Sequence, residues 1–295
     1  MVFTQPLAAK LNEQLALFDN ERITKMDLKD NVFVITGGGN GIGRELVLNL
    51  LSKGARVAAA DIDQAGLDET HRLAGTVSDQ MSRHNVDITD LKAVTSLTKD
   101  VVDTHGQVDG LINNAGVIQP FEKINDLEYD TIEWVMNVNF FGSVYMTKAF
   151  LPLLLERPEA SIVNISSMGG FISVPGQGVY GASQAALKLF TEALYAELAD
   201  TNINVSVVFP GAVNTDIAAR SGAVIKSPQD EQGKGSSFKP KPPAQAAEEI
   251  INGMVKRRFH IFVGSDSKYM NFLYRISPRS ATNFIARQMR ALLEE

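Results

Sequence analysis

The chain has 295 residues, and its 28 lysines and arginines and 34 aspartates and glutamates give a net charge of −6. It contains no cysteine, which excludes disulfide frameworks, thiolate catalysis, cysteine-ligated zinc and iron–sulfur clusters. The modest negative charge argues against general nucleic-acid binding, and an apolar content of 44% excludes a disordered chain.

The N-terminus lacks the basic start and apolar run that are typical of a signal peptide. We also identify no apolar stretch of the roughly 18 residues needed to span a bilayer, so we expect a cytoplasmic protein. The histidines show no spacing typical of metal ligands, and we therefore predict no metal site. The four histidines are His71, His84, His105 and His260.

Short apolar runs alternate with helical patterns along the chain. Strands are predicted near 32–35, 56–60, 82–86, 109–113, 161–165, 203–208 and 259–263, and helices near 41–53, 91–104, 128–155 and 180–200. Apolar runs without alternation are typical of strands buried on both faces of a parallel sheet. The sequence therefore predicts an α/β fold with a doubly wound parallel sheet, the three-layer α/β/α Rossmann fold.

Three segments lie outside this alternation, and we interpret residues 1–295 as one domain that carries them. Residues 1–29 have apolar residues at helical spacing, which predicts an amphipathic N-terminal helix. Residues 218–243 form a long polar stretch, which we interpret as a substrate lid, with a disordered surface insertion as the alternative. Residues 264–295 form a basic C-terminal extension.

The basic extension belongs to a longer stretch in which positive charge is concentrated. Residues 254–290 hold eight lysines and arginines and one acid, Asp266, a net charge of +7. One interpretation is a segment attracted to an anionic membrane surface. The interpretation that we favour is a helical extension packed on the domain or on a neighbouring subunit.

A glycine-rich segment joins the first strand to the first helix. Its residues with expected cofactor contacts are Thr36, Gly37, Gly39, Asn40, Gly41, Ile42 and Gly43. Glycine permits a tight turn and lets the backbone approach a phosphate closely. The helix that follows directs its free N–H groups and positive dipole end at the anion, so this position after a strand favours a dinucleotide site.

Asp61 ends the second strand, 24 residues after Gly37. A carboxylate there can accept hydrogen bonds from the hydroxyls of an adenosine ribose, and it would repel a 2′-phosphate. Asn40, which precedes Gly41, offers no cation to such a phosphate. We therefore expect NAD rather than NADP as cofactor; the alternative is that Asp61 only caps a turn.

A predicted strand ends at Ser166 and Ser167, and a helical pattern begins thirteen residues later at Tyr180. Open α/β sheets bind their ligands in the crevice at the carboxyl ends of the strands. We therefore expect the Ser167 and Tyr180 hydroxyls to face that crevice.

With these motifs the chain resembles the short-chain dehydrogenase/reductase family through about residues 30–265. The resemblance rests on the T-G-G-G-N-G-I-G turn (36–43), Asp61, Asp87 within N-V-D-I (85–88), N-N-A-G (113–116), Asn139 within N-V-N-F-F-G (137–142), Ser167, Tyr180 and F-P-G-A-V-N-T (209–215). It implies an NAD-dependent oxidoreductase that interconverts a secondary alcohol and a ketone. It also implies a homodimer or homotetramer, packed through the helices predicted at 128–155 and 180–200.

The resemblance assigns a role to each matching residue. Tyr180 would be the general acid/base, Ser167 would hydrogen-bond the substrate oxygen, and Asn139 would hold a water in a proton relay. The implied cofactor contacts beyond the glycine segment are Asp61, Ile62, Asp87, Ile88, Asn113, Ala115, Gly116, Tyr180, Gln184, Pro210, Gly211, Val213 and Thr215. Plainer roles stay open for Ser167 as a strand-end serine, for Asn139 as a packing residue and for Asp87 as a turn residue.

One position departs from the family pattern Tyr-x-x-x-Lys, because Gln184 stands four residues after Tyr180. A lysine there would bind the nicotinamide ribose and lower the pKa of the tyrosine, whereas glutamine keeps only the hydrogen bonds. Lys188 lies about 12 Å from Tyr180 along the helix, beyond a lysine's reach. We expect a slowed enzyme with an alkaline pH optimum; the alternative is a homologue that binds NAD without efficient turnover.

The substrate side is predicted to be apolar. The residues that carry this expectation are Met168, Phe171 and Val174 after Ser167, and Ile217, Val224, Ile225 and Phe238 in and beside the lid. They favour a hydrophobic alcohol or ketone as substrate.

Overall fold

The computed structural model describes residues 25–223 and 239–289. The predicted N-terminal helix falls almost wholly outside the described residues, as do Val224, Ile225 and Phe238 of the lid and Arg290 of the tail. In the described part, the strands are β1 (Val32–Thr36), β2 (Arg56–Asp61), β3 (Met81–Asn85), β4 (Gly110–Asn113), β5 (Ala160–Ile165), β6 (Ile203–Pro210) and β7 (His260–Val263).

Helices connect these strands throughout the described part. They are α1 (Gly41–Ser52), α2 (Gln64–Ala74), α3 (Leu91–His105), α4 (Tyr129–Met136), α5 (Ser143–Leu155), α6 (Gly178–Glu197), α7 (Ile217–Arg220), α8 (Pro243–Val255), α9 (Ser265–Ile276) and α10 (Pro278–Gln288). A π-helical turn, Asn137–Gly142, joins α4 to α5, and a short 3₁₀ turn, Met168–Gly170, follows β5.

The strands form one parallel sheet in the order β3-β2-β1-β4-β5-β6-β7. The order runs outward in both directions from β1, which pairs with β2 on one side and with β4 on the other. This reversal is the topological switch point, where open α/β sheets form a ligand crevice. The doubly wound Rossmann fold predicted from the sequence is confirmed.

Apolar side chains cover both faces of the sheet, as the unbroken apolar strands require. On one face α1 and α8 bury Leu46, Leu50 and Ile250. On the other face α3 and α5 bury Val94 and Phe150. All five side chains have no exposed surface, so burial on both sides explains why these strands do not alternate apolar and polar residues.

The helical run from Tyr129 to Leu155 is, by length and hydropathy, the one in the described part that could cross a membrane. The sequence analysis had identified no such stretch. In the fold this run is a core helix, because Met146, Phe150 and Leu154 are fully buried against the sheet.

The basic extension forms α9 and α10, which pack on the domain. Met270, Ala281 and Ile285 are buried around Ile172 and form a small apolar cluster. This agrees with the favoured interpretation of the extension as a helical segment packed on the domain. The predicted apolar residues Met168, Phe171 and Val174 also pack against this cluster, so they do not line the crevice as expected.

Candidate active site

A cavity with a volume of about 810 Å³ opens at the carboxyl ends of the central strands. It contains most of the residues that the sequence motifs had singled out. The predicted site residues that line it are Gly37, Asn40, Gly41, Ile42, Asp61, Ile62, Asp87, Ile88, Ala115, Gly116, Ser167, Tyr180, Gln184, Pro210, Gly211, Val213 and Thr215. Thr36, Gly39, Gly43, Asn113 and Asn139 do not line it, and their contacts show other roles.

The glycine turn is shaped by sterics that exclude larger residues. Gly37 and Gly41 have φ angles of +68° and +53°, which side chains with a Cβ rarely adopt. A Cβ on Gly43 would lie 1.9 Å from the Gly37 carbonyl oxygen, so α1 packs directly on the turn. Thr36 does not reach the cavity but ties the end of β1 to the segment after β4. Its Oγ1 accepts hydrogen bonds of 3.0 Å from the N–H groups of Asn114 and Ala115.

The start of α1 faces the cavity as an anion site. Asn40, the residue before α1, makes no capping hydrogen bond to the helix, so its side chain satisfies none of the first N–H groups. Arg44 braces the turn, since its Nη2 donates to the Gly39 carbonyl at 2.5 Å and to Asn40 Oδ1 at 3.2 Å. The turn can therefore hold a phosphate with backbone N–H groups and the positive end of α1.

Asp61 lines the cavity and also organises the backbone around it. Its Oδ2 accepts the Gly39 N–H at 2.9 Å, and its Oδ1 accepts the Asp63 N–H at 2.9 Å. Asp61 therefore does cap the turn, as the alternative interpretation held. This does not exclude ribose binding, because each carboxylate oxygen keeps a second acceptor site.

Asp87 likewise combines two roles. Its Oδ1 accepts hydrogen bonds from the N–H and the hydroxyl of Thr89, at 2.8 and 2.7 Å, which is the role of a turn residue. Asp87 and Thr89 both line the cavity beside Ile88.

Asn113 departs from the expectation that it lines the adenosine side. Its side chain is buried under the sheet, where its Nδ2 donates to Asn164 Oδ1 at 2.8 Å and to Thr147 Oγ1 at 3.1 Å. It therefore ties β4 to β5 and α5. The next residue, Asn114, lines the cavity and donates to the Thr36 carbonyl at 3.0 Å.

The side chain of Asn139 binds the protein itself, and the relay water expected at this residue stays a prediction. Its Oδ1 accepts the Val117 N–H at 2.8 Å, and its Nδ2 donates to the Val117 carbonyl at 2.9 Å and to Ser183 Oγ at 3.0 Å. Both amide hydrogens are thus engaged. Asn139 fixes the loop after β4 to the π-helical turn and to α6, as the packing alternative held.

Tyr180 and Ser167 meet at the inner end of the cavity. Both side chains lie beside Gly169, and Ser167 Oγ accepts the Gly169 N–H at 3.0 Å. Burial raises the pKa of Tyr180 above its ordinary value of 10.0, and the Ser167 hydrogen bond opposes that rise in part. Tyr180 is therefore a neutral phenol at neutral pH, held against a second hydroxyl.

Gln184 lies one helical turn along α6 with its side chain buried. Its Oε1 is enclosed and has no hydrogen-bond partner among the described residues, although Gln184 lines the cavity. Such an acceptor is costly to bury unless a ligand donates to it. Lys188 cannot replace the missing charge, because its Nζ is paired with Glu192 at 2.8 Å.

Among the described residues that line the cavity, Arg220 of α7 is the one cation, and its Nη2 is paired with Asp63 at 2.8 Å. This pair lies at the glycine turn, because Asp63 also accepts a hydrogen bond from Asn40 Nδ2 at 3.1 Å. No sequence motif predicts Arg220 at the site, nor Trp134, which lines the cavity from α4. Both reach it only through the fold.

The residues present fit a dinucleotide. The glycine turn and the uncapped start of α1 suit a pyrophosphate, and Asp61 retains acceptor capacity for a ribose. The orphaned Gln184 Oε1 suits a second ribose hydroxyl.

Comparisons with known proteins identify the family. The family model described as short chain dehydrogenase matches residues 31–225. SadH of Mycobacterium tuberculosis is 37% identical over 261 residues, which cover 86% of this chain and 94% of SadH. A short-chain dehydrogenase/reductase from Burkholderia phymatum, solved in complex with NAD, is 25% identical with a TM-score of 0.74, covering 85% of this chain and 95% of that one.

A short-chain dehydrogenase from Burkholderia cenocepacia, solved in complex with NADP, shares the fold at 22% identity and a TM-score of 0.73. It is covered over 99% of its length, and it covers 88% of this chain. The sheet order, the cavity and these matches lead to one conclusion: the chain belongs to the short chain dehydrogenase family of oxidoreductases.

Proposed function

We propose that the protein is an NAD-dependent oxidoreductase that interconverts a secondary alcohol and a ketone, with Tyr180 as general acid/base. The single observation that carries the proposal is that Tyr180 and Ser167 line one cavity together with the glycine turn. When bound, the nicotinamide supplies or accepts the hydride.

The chain's own residues would hold the substrate and move its proton. Ser167 would donate to the substrate oxygen, and the Tyr180 hydroxyl would give up its proton to that oxygen during ketone reduction. In the oxidation direction Tyr180 must be deprotonated to accept the alcohol proton. Because burial raises the pKa of Tyr180, alcohol oxidation should accelerate as the pH rises.

Gln184 would hold the nicotinamide ribose through its orphaned Oε1, without contributing charge. Support for a slowed reaction comes from the pairing of Lys188 with Glu192, which leaves no lysine of α6 to act on Tyr180. The same observation favours a second candidate function, a homologue that binds NAD with little turnover.

Support for NAD over NADP comes from Asp61, whose carboxylate would meet a 2′-phosphate with like charge. The nearby Arg44 is occupied by the Gly39 carbonyl and Asn40, and Arg220 is neutralised by Asp63.

Support for an apolar substrate comes from Val117, Val213 and Ile217 in the cavity lining. We also propose a cytoplasmic homodimer or homotetramer that uses α4 to α6, where Trp134, Phe141 and Leu189 are exposed.

A screen of apolar secondary alcohols with NAD, and of the matching ketones with NADH, tests the proposal. Wild-type protein should form or consume NADH with at least one pair, and Tyr180→Phe should lose about 10²–10⁴-fold in kcat with unchanged NAD affinity. NAD binding by the wild type without turnover on the panel would favour the second candidate. A kcat for Tyr180→Phe within about tenfold of wild type would contradict the assigned acid/base.

A further inference from the structure

A fully buried glutamine links the loop after β4 to the start of the helix that carries Tyr180. Gln119 lies between β4 and α4 and has no exposed surface. It does not line the cavity. It lies outside the family motifs, and the proposed mechanism gives it no role. Burying a primary amide without solvent is costly unless its groups are hydrogen-bonded, so its contacts indicate what it is for.

The Gln119 side chain caps α6 from a distant part of the chain. Its Oε1 accepts hydrogen bonds from the backbone N–H groups of Val179 at 2.9 Å and of Tyr180 at 3.0 Å. A helix-capping side chain normally comes from the residue just before the helix and accepts these same first-turn N–H groups. In α6 that residue is Gln177, which makes no capping bond, so Gln119 supplies the missing acceptor.

A second buried amide holds Gln119 in place. Gln177 Nε2 donates to the Gln119 carbonyl at 2.7 Å, and Gln119 Nε2 donates to the Gly176 carbonyl at 3.0 Å. The two glutamines therefore bridge the loop after β4 and the segment before α6 in both directions. The same loop is held at two further points: Asn139 Oδ1 accepts the Val117 N–H, and Ser221 Oγ accepts the Ile118 N–H.

This cap bears directly on Tyr180, because one of the two capped N–H groups is that of Tyr180 itself. The Tyr180 hydroxyl must meet Ser167, which a different turn positions through Gly169. The hydrogen bond to Ser167 also lowers the pKa of Tyr180, and Gln184 adds no charge to assist it. The placement of the first turn of α6 therefore decides whether the two hydroxyls stay paired.

We propose that Gln119 is a positioning residue for Tyr180: by capping α6 from the loop after β4, it holds the tyrosine hydroxyl against Ser167. This inference rests on the proposed function for its consequence in turnover. The position of the Tyr180 hydroxyl does not depend on the proposed function, so the experiment measures that position and turnover separately.

The experiment compares Gln119→Met, Gln119→Glu and the control Ser277→Ala. Methionine has a similar shape but cannot cap. Glutamate keeps an acceptor for both N–H groups and, as the neutral acid that burial favours, a donor for the Gly176 carbonyl. Ser277 caps α10 through the Ser280 N–H, away from the cavity, so its loss reports the effect of an ordinary lost cap. The readouts are melting temperature, NAD affinity, the pH profile of kcat, and the NMR signal of Tyr180 labelled at Cζ, assigned with Tyr180→Phe.

We expect Gln119→Met to lower kcat by about tenfold or more with NAD affinity within about twofold of wild type. Its Tyr180 signal should shift and titrate at higher pH, because the Ser167 hydrogen bond is weakened. Gln119→Glu should restore both properties, and Ser277→Ala should change only the melting temperature. A Gln119→Met protein with a lowered melting temperature but an unchanged Tyr180 titration and kcat would overturn the proposal.

The NMR titration also separates this inference from the proposed function. If wild-type protein turns over no alcohol or ketone, the proposed function fails. A displaced Tyr180 titration in Gln119→Met, restored in Gln119→Glu, would still support the positioning role, and an unchanged titration would reject it.

Discussion

The side chain at position 184 decides how the tyrosine is activated. Replacing Gln184 with lysine would place a cation one helical turn from Tyr180, where it stabilises the phenolate. We predict that Gln184→Lys raises the kcat for alcohol oxidation at pH 7 by about tenfold or more and moves the pH profile toward acid. Steady-state kinetics between pH 6 and 10 check this.

A matched variant, Gln184→Met, separates charge from hydrogen bonding at the same position. It removes the buried Oε1 acceptor and should weaken NAD binding without moving the pH profile. Equal pH profiles for wild type and Gln184→Lys would show that charge at position 184 does not act on Tyr180.

Asp61 is the residue on which cofactor choice depends. Asp61→Ser removes the charge that would repel a 2′-phosphate and keeps a small acceptor. We predict that it weakens NAD binding and improves NADP binding, each by about tenfold, since a charged hydrogen bond contributes about 1.5–3 kcal/mol. Titrations of both cofactors against wild type and variant measure the ratio. A wild type that binds NADP more tightly than NAD would contradict the assignment.

At the scale of elements, the tightest contact of the site is between α1 and the glycine turn. Gly43→Ala would drive a Cβ to 1.9 Å from the Gly37 carbonyl oxygen, which the packed turn cannot absorb. We predict a loss of several kcal/mol in the free energy of unfolding together with loss of NAD binding.

Gly75 provides a comparison that isolates the clash. It has a φ of +57°, but an added Cβ there would meet nothing within 4 Å. Gly75→Ala should therefore cost about 1–3 kcal/mol through backbone strain alone and leave NAD binding intact. Chemical denaturation and cofactor titration check both variants; similar losses for the two would show that steric contact with Gly37 is not what fixes position 43.

The sequence predicted the sheet well because most strands are apolar runs followed by a turn signal; the edge strand β3, Met-Ser-Arg-His-Asn, is the exception. The glycine turn, Asp61 and Ser167 could be placed at the crevice because they follow strand ends, whose position in a parallel sheet is set by topology; Tyr180 lines the same cavity from the first turn of α6. The sequence misplaced the side chain of Asn113, because a residue's place within a motif does not determine which way its amide points.

Other features were invisible to local pattern. Gln119 lies in a loop, and its role depends on the N–H groups of Val179 and Tyr180, sixty residues away along the chain. Arg220 enters the cavity only because α7 folds back over the glycine turn to reach Asp63. Such contacts follow from tertiary packing and leave no periodic signal.

At the scale of the whole molecule, acid stability depends on a buried histidine pair at the edge of the sheet. Ser82 Oγ is hydrogen-bonded to His84 Nε2 and His105 Nε2, each at 2.7 Å. Burial, with Arg56 and His84 nearby, lowers the pKa of His105 to about 4. Burial also lowers the pKa of His84.

Because the folded pKa lies below the unfolded value, the unfolded chain takes up the proton first as the pH falls. The stabilisation from neutral His105 is therefore full above about pH 6.5 and is lost progressively toward pH 4, by at most about 3 kcal/mol. We predict that His105→Gln has a shallower decline in unfolding free energy across this window. Urea denaturation between pH 4 and 7.5 measures it, and identical slopes in both proteins would contradict the account.

We propose that hydride transfer between a secondary alcohol and NAD takes place in this cavity under the control of Tyr180. The most direct test supplies an alcohol from the active panel with deuterium on its carbinol carbon and analyses the NADH formed by mass spectrometry. We predict one deuterium on each NADH made by wild-type protein, and about 10²–10⁴-fold slower NADH formation by Tyr180→Phe. NADH without deuterium, or equal formation by both proteins, would contradict it.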